Sequence, residues 1–225
     1  GLSEKTRAKF RDMLEGSIPI PMDVTKEEMM KNPLVGVGKG LFAQIARRRV
    51  ANHALMRPFR SLLAQEDIMN ELAQATYPDG SKPSLVDVTT LAAFLFGAGQ
   101  DTTNRLLANG FKVIATRPDI QQELRDNPKR IEAFVEELLR YDGSVKSGGR
   151  ICKKTITLGG VEIKAGTPIL MSHMAANRDP KRFPDPGVFD MDRPKIKEHL
   201  AFGRGAHTCI GAPLARREVV VSIEL

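Results

Sequence analysis

No proline interrupts residues 84–116. At about 1.5 Å of rise per residue, a helix over that span is roughly 50 Å long. A domain that contains such a rod has to be built around it. Apolar residues occupy much of its circumference, as in LAAFLFGAG (91–99). The pattern predicts a helix that runs through a core rather than over one. Its middle breaks that pattern with AGQDTT, residues 98–103. Gly99 costs a helix interior about 1 kcal/mol against alanine. A buried Asp101 would be expensive without a partner. Threonine hydroxyls, such as that of Thr102, bond back to the preceding turn and bend a helix. A solvent-facing polar patch is the plain alternative for this segment.

The flanking segments are also mostly helical. Residues 3–15 open on a serine cap and end at Gly16, and a short helical piece lies near residues 25–31. Apolar spacing predicts helices over 34–50 and 64–76, with GVGKG (36–40) as a flexible start, and a turn at YPDGSKP (77–83). Shorter helices follow at 118–126 and 128–141, divided by Asn127-Pro128. The character changes at residues 150–172, RICKKTITLGGVEIKAGTPILMS, which alternates and turns at Gly159-Gly160 and Ala165-Gly166. Residues 177–200 are irregular and rich in Pro, Asp and Arg; so long a connection has a purpose. The fold class is therefore mainly α with a small antiparallel β portion. A single domain is expected over 1–225: helical to 141, β over 150–172, an irregular segment and loop over 173–211, and a last helix from 212.

Composition narrows the function. The net charge is +7, yet no aromatic residues interleave with the basic clusters as a nucleic-acid platform requires. Arg47, Arg48 and Arg49 end a helical pattern, where they complement its carbonyl end as a solvated surface. No apolar run reaches the roughly 18 residues of a membrane span, and GLSEKTRAKF lacks the apolar core of a secretory signal. The two cysteines, Cys152 and Cys209, cannot make a disulfide framework, which fits a reducing cytoplasm.

Cys209 carries the chemistry. It lies in AFGRGAHTCIGAPLARRE (201–218), among Gly203, Gly205 and Gly211, with a helical run close behind. Glycines permit positive φ. Helix-start amides favour an anion, and thiolate is the reactive form of cysteine. A zinc site would need more ligands than His207 and Cys209. A nucleophile would need an oriented base, which His207 alone does not establish. A merely buried thiol would not need three glycines. A single axial thiolate on haem iron fits best.

FGRGAHTCIG resembles the haem-binding loop of the cytochrome P450 monooxygenases, F-G-x-G-x-H-x-C-x-G, at Phe202, Gly203, Gly205, His207, Cys209 and Gly211, and Leu214-Ala215-Arg216 continues the pattern. The resemblance implies the cytochrome P450 fold and haem b, with Cys209 as the axial ligand of the iron, Phe202 beside the sulfur and His207 on a propionate. AGQDT (98–102) resembles the family's oxygen-binding motif. That implies Ala98 and Gly99 over the distal haem face, with Asp101 and Thr102 delivering protons for O–O cleavage. Glu137 and Arg140 resemble the family's E-x-x-R pair, and Arg193 in FDMDR its third member: a structural triad. Arg150 resembles the arginine of a haem propionate. Ser144 to Gly149 corresponds to a loop lining the substrate pocket, with Val145 as its apolar contact; Ser144 stands where many relatives carry proline. Asn177-Arg178-Asp179-Pro180 resembles the pattern preceding the irregular segment.

The resemblance spans the chain but only the C-terminal part of the family's fold, which is expected to be incomplete at both ends. It implies a haem-thiolate monooxygenase of the soluble bacterial type, inserting one atom of dioxygen into a small apolar organic substrate. Ferredoxin and its reductase would supply electrons, with Arg216 and Arg217 steering an acidic ferredoxin. No nucleic acid or membrane partner is expected. The alternatives are haem-thiolate chemistry other than monooxygenation, or an inactive fragment that binds no haem.

Overall fold

The structure, a computed structural model, describes residues 33–51 and 67–225. The helices expected over 3–15 and near 25–31, and the first residues of the one expected over 64–76, lie outside them. The chain forms two compact units, one ending at Ala98 and one beginning at Gly99.

The first unit holds α1 (Pro33–Ala51), α2 (Ile68–Gln74) and the start of α3 (Leu85–Thr116). Val37, Leu41 and Ile45 recur at helical spacing on α1 and bury against Ala73, Val88 and Ala92. The Asp67 carboxylate caps α2, accepting the Asn70 N–H at 2.8 Å, and pairs with Arg48 at 2.7 Å. Here the structure corrects the expectation of three solvated arginines. Arg47 is exposed, but Arg48 is buried against Asp67, and Arg49 donates to the carbonyls of Ala73 and Pro83. A carbonyl freed at the end of α2, another just before α3 and a capping carboxylate give these guanidinium groups better partners than water.

The second unit continues α3 and adds α4 (Pro118–Asp126), a 3₁₀ turn at Pro128–Arg130 and α5 (Ile131–Asp142). It then adds β1 (Ser147–Ile151), β2 (Ile156–Leu158), β3 (Val161–Ile163), β4 (Pro168–Ser172), the short α6 (His173–Ala176) and α7 (Ala212–Glu224). Its core is organised on α5, where Ile131 and every residue from Phe134 to Arg140 is buried. Leu106 of α3, Ile120 and Leu124 of α4, Phe189 and Met191, and Val219 and Val220 of α7 close around it. Gly110 lets α3 approach, since a methyl group there would stand 3.0 Å from Leu138 Cδ2.

The β portion makes two antiparallel pairs, β1 with β4 (Ser147 opposite Ser172) and β2 with β3. Gly159 and Gly160 form the two-residue turn of the second pair at φ +57° and +81°. Tight hairpins of this hand need positive φ at both positions, and glycine supplies it. Pairing begins at Ser147, slightly earlier than the alternation suggested.

Helix α3 has the predicted length but not the predicted burial all round. Val86 (65%), Phe94 (65%) and Phe111 (49%) are exposed among the described residues. An all-round apolar helix needs neighbours on every side, and the described residues cover one stripe of it.

Phe134 is fully buried at the centre of the second unit. Phe134→Ala is expected to lower unfolding free energy by about 3–5 kcal/mol, read from urea unfolding.

Candidate functional site

Cys209 sits on an exposed loop between the irregular segment and α7. Gly203 and Gly205 hold left-handed backbone at φ +69° and +82°, which a side chain would strain. They fold the loop back so that the Cys209 N–H reaches the Phe202 carbonyl at 2.9 Å. A 3₁₀ turn, Gly205–His207, is closed by the Thr208 N–H and hydroxyl, both donating to the Gly205 carbonyl. A Cβ at Gly211 would stand 3.8 Å from Cys209 Sγ. The amides of Ile210 and Gly211, just past the sulfur, donate to no acceptor among the described residues. They lie at the start of α7, whose dipole also favours a negative charge there.

Two carboxylates on α5 anchor this loop and the segment before it. Glu137, fully buried, takes a fork from Arg140: Nε to Oε2 at 2.7 Å and Nη2 to Oε1 at 2.6 Å. Arg140 also donates to the carbonyls of Asn177 (3.0 Å), Pro186 (2.9 Å) and Val188 (3.0 Å). All five of its N–H donors are therefore used. Arg193 reaches the same Oε1 at 3.3 Å and the carbonyls of Pro184, Asp185 and Val188. The Asp190 N–H adds a donor to Oε1 at 2.9 Å. Thus Glu137, Arg140 and Arg193, named from sequence, are joined in one buried network that holds the irregular segment by its backbone. Asn177 extends it, because its Oδ1 accepts the Leu200 N–H at 2.6 Å, just before the cysteine loop.

The neighbouring carboxylate, Glu136, faces α7. It pairs with Arg216 through Nε (2.5 Å) and Nη2 (3.2 Å) and with His199 Nε2 at 3.1 Å. Burial alone would push the Glu136 carboxyl up; the hydrogen bonds from His199 and Arg216, with the Arg216 charge, outweigh it and hold the group at about 2. Arg216 also lies over the Phe202 ring, 4.7 Å from its centroid. Sequence reading missed Glu136 and His199. The signals were a second glutamate beside the E-x-x-R pair, and a histidine three residues before Phe202.

The remaining predicted residues are placed as follows. Asp101 is exposed and pairs with Arg105 at 2.8 Å. The Thr102 hydroxyl faces the Gly99 carbonyl at 3.4 Å, a long contact. A Cβ at Gly99 would meet open space, and Ala98 is exposed. Ser144 donates its hydroxyl to the Thr102 carbonyl at 2.6 Å, and Asn109 Nδ2 donates to the Asp142 carbonyl at 2.7 Å. The start of the 144–149 loop is thereby fastened to α3 beside the AGQDT motif. Val145 is 43% exposed. Arg150 is exposed, and among the described residues its guanidinium donates to the carbonyl of adjacent Gly149. His207 is exposed on the cysteine loop. Among the described residues no three His, Cys, Asp or Glu side chains gather as a metal site.

Comparison with known proteins adds the family. The family model of cytochrome P450 matches residues 44–224. Cytochrome P450 144 of Mycobacterium tuberculosis is 40% identical over 161 residues, which is 72% of this chain and 37% of that protein. The cytochrome P450 monooxygenase PikC of Streptomyces venezuelae is 40% identical over 159 residues, 70% of this chain and 38% of that protein. The solved structure of Mycobacterium marinum cytochrome P450 CYP150A6 in its substrate-free form is 42% identical with a TM-score of 0.80, covering 100% of this chain and 48% of that one. The chain thus spans less than half the length of these relatives.

The Glu136 shift sets a pH dependence. A carboxyl lowered from 4.5 to about 2 contributes stability on the order of 3 kcal/mol, present above pH 4.5 and lost as pH falls toward about 2. Glu136→Gln is expected to flatten stability between these limits, read by urea unfolding at stepped pH.

Proposed function

This chain belongs to the cytochrome P450 family, and from that premise we propose that the whole protein is a haem-thiolate monooxygenase acting on a small apolar organic substrate. The balanced reaction joins substrate, dioxygen, two electrons and two protons into hydroxylated substrate and water. The observation that carries the reading is the Cys209 loop: an exposed sulfur that follows two left-handed glycines, Gly203 and Gly205, and stands ahead of a helix start.

The residues fit haem b, which family members bind. Cys209 offers one sulfur ligand, and the exposed side of its loop leaves room for a flat ligand. Cys209 would hold the iron, with Phe202 and Gly203 beside the sulfur and Arg150 and His207 on the propionates. When bound, haem supplies the iron at which dioxygen is reduced, and the thiolate favours O–O cleavage.

The rest is work for side chains. Ala98 and Gly99 leave space on α3. Thr102 would pass protons from its hydroxyl, and Asp101 would supply them from solvent. The exposed Asp101–Arg105 pair does not block this, since such pairs are worth only about 0.2–1 kcal/mol. Positioned proton donors of this kind typically contribute roughly 10²–10⁴-fold. Ser144 ties the pocket loop carrying Val145 to the Thr102 carbonyl.

Electrons would come from ferredoxin and its reductase. Arg216 is committed to Glu136 and Phe202, so steering falls to exposed Arg217, Lys129 and Lys197 around a cleft of about 540 Å³. Basic side chains at such a rim raise the encounter rate with an acidic partner and lose effect with salt. A reducing cytoplasm suits a protein whose Cys209 must stay out of a disulfide to hold the iron.

Two substitutions in the haem-loaded protein test the reading. Cys209→Ala is expected to abolish the long-wavelength absorption of the ferrous carbon monoxide complex; its survival overturns the ligand assignment. Thr102→Ala is expected to keep that absorption and divert electrons to hydrogen peroxide, measured as peroxide formed per reductant consumed. Fully coupled turnover rejects the relay.

A further inference from the structure

Three side chains from three parts of the fold converge behind the cysteine loop, and none belongs to the Glu137 network. Glu136 comes from α5, His199 from the end of the irregular segment and Arg216 from α7. Glu136 is 5% exposed, and both of its carboxylate oxygens are engaged. The Ala201 N–H donates to His199 Nδ1 at 3.2 Å. That leaves the imidazole proton on Nε2, facing Glu136, so the backbone fixes the tautomer. Arg216 forks onto Glu136 and at the same time covers Phe202. The His199 ring flanks Phe202 with centroids 6.2 Å apart. The Phe202 carbonyl in turn accepts the Cys209 N–H at 2.9 Å.

We propose that Glu136, His199 and Arg216 are positioning residues for the haem ligand, fixing Phe202 and thereby the backbone that presents Cys209. The proposal rests on the haem-thiolate reading above. Its physical basis is rigidity. A planar guanidinium held at both ends cannot slide, and the residue whose ring lies beneath it accepts the ligand's own N–H through its backbone carbonyl. Partners that orient a metal ligand in this way commonly change metal affinity by about 10–100-fold when removed. Lysine would keep the charge opposite Glu136 but lose both the fork and the stack.

The experiment uses the haem-loaded full protein with Glu136→Gln, Arg216→Ala and Arg216→Lys, the last in case alanine prevents folding. Glu218→Gln, exposed on the same helix, serves as the control. One readout is the rate at which ferric protein yields haem to excess apomyoglobin. The other is the fraction of the ferrous carbon monoxide complex at the long-wavelength, thiolate-ligated position. The expected result is haem loss faster by about 10–100-fold in Arg216→Ala, with part of the absorption moved to shorter wavelength. Arg216→Lys and Glu136→Gln should shift the same way, and Glu218→Gln should match the parent. Phe134→Ala separates positioning from general destabilisation: it should lower the melting temperature without moving the absorption. If the Arg216 and Glu136 variants keep both the parent's haem-loss rate and its spectrum, or if Phe134→Ala moves the spectrum equally, the positioning role is overturned and the haem-thiolate reading stands. If the parent itself shows no thiolate-ligated complex, the haem-thiolate reading fails first.

Discussion

A single buried carboxylate, Glu137, takes hydrogen bonds from Arg140, Arg193 and the Asp190 amide. One negative charge faces two positive ones away from water, an arrangement that stands only because backbone carbonyls share the excess. Arg140 alone donates to three of them, at Asn177, Pro186 and Val188. The irregular segment has little regular structure of its own, so these charged donors replace the hydrogen bonds that a helix or sheet would supply. Removing one member would strand a buried charge, at a cost of about 3–5 kcal/mol. The path of the chain into the cysteine loop follows from this network through Asn177, which fixes Leu200.

Glu136 applies the same chemistry to the other side of α5. Adjacent residues on a helix point about 100° apart, so two glutamates in sequence reach two different structures. Glu137 holds the segment leading to the loop, and Glu136 holds the helix leaving it through Arg216. Together they explain why α5 is buried along most of its length although two glutamates and an arginine are among its buried residues. Each charge is matched and each donor placed, the condition under which buried ions are tolerated.

Much of the helical layout was legible because local rules fix it. Pro118 and Pro128 start helices where they stand, and α4 and the turn before α5 begin at those residues. The Gly159-Gly160 turn came through for the same reason, as glycine is what a tight hairpin requires. The motif residues around Cys209 were legible because a close backbone approach leaves a spacing that sequence records. Burial was less legible. Helix α3 looks apolar all round, yet Phe94 and Phe111 are exposed among the described residues. Arg48 looks like surface and is buried. Hydrophobic pattern says which residues prefer a neighbour, not whether one is there.

Among the described residues, sequence alone determined the main helices, the β portion, and the one thiol with a loop built to present it. These depend on backbone angles and on residues a few positions apart. Tertiary structure alone decided which partners the charged side chains found. Glu136 reaches His199 and Arg216, and Glu137 reaches Arg193, across stretches of chain that no local pattern measures. It also decided that Ser144 would fasten its loop to Thr102. The physical reason is range: propensity and turn chemistry act within a few residues, whereas a buried ion pair is set by where whole helices come to rest.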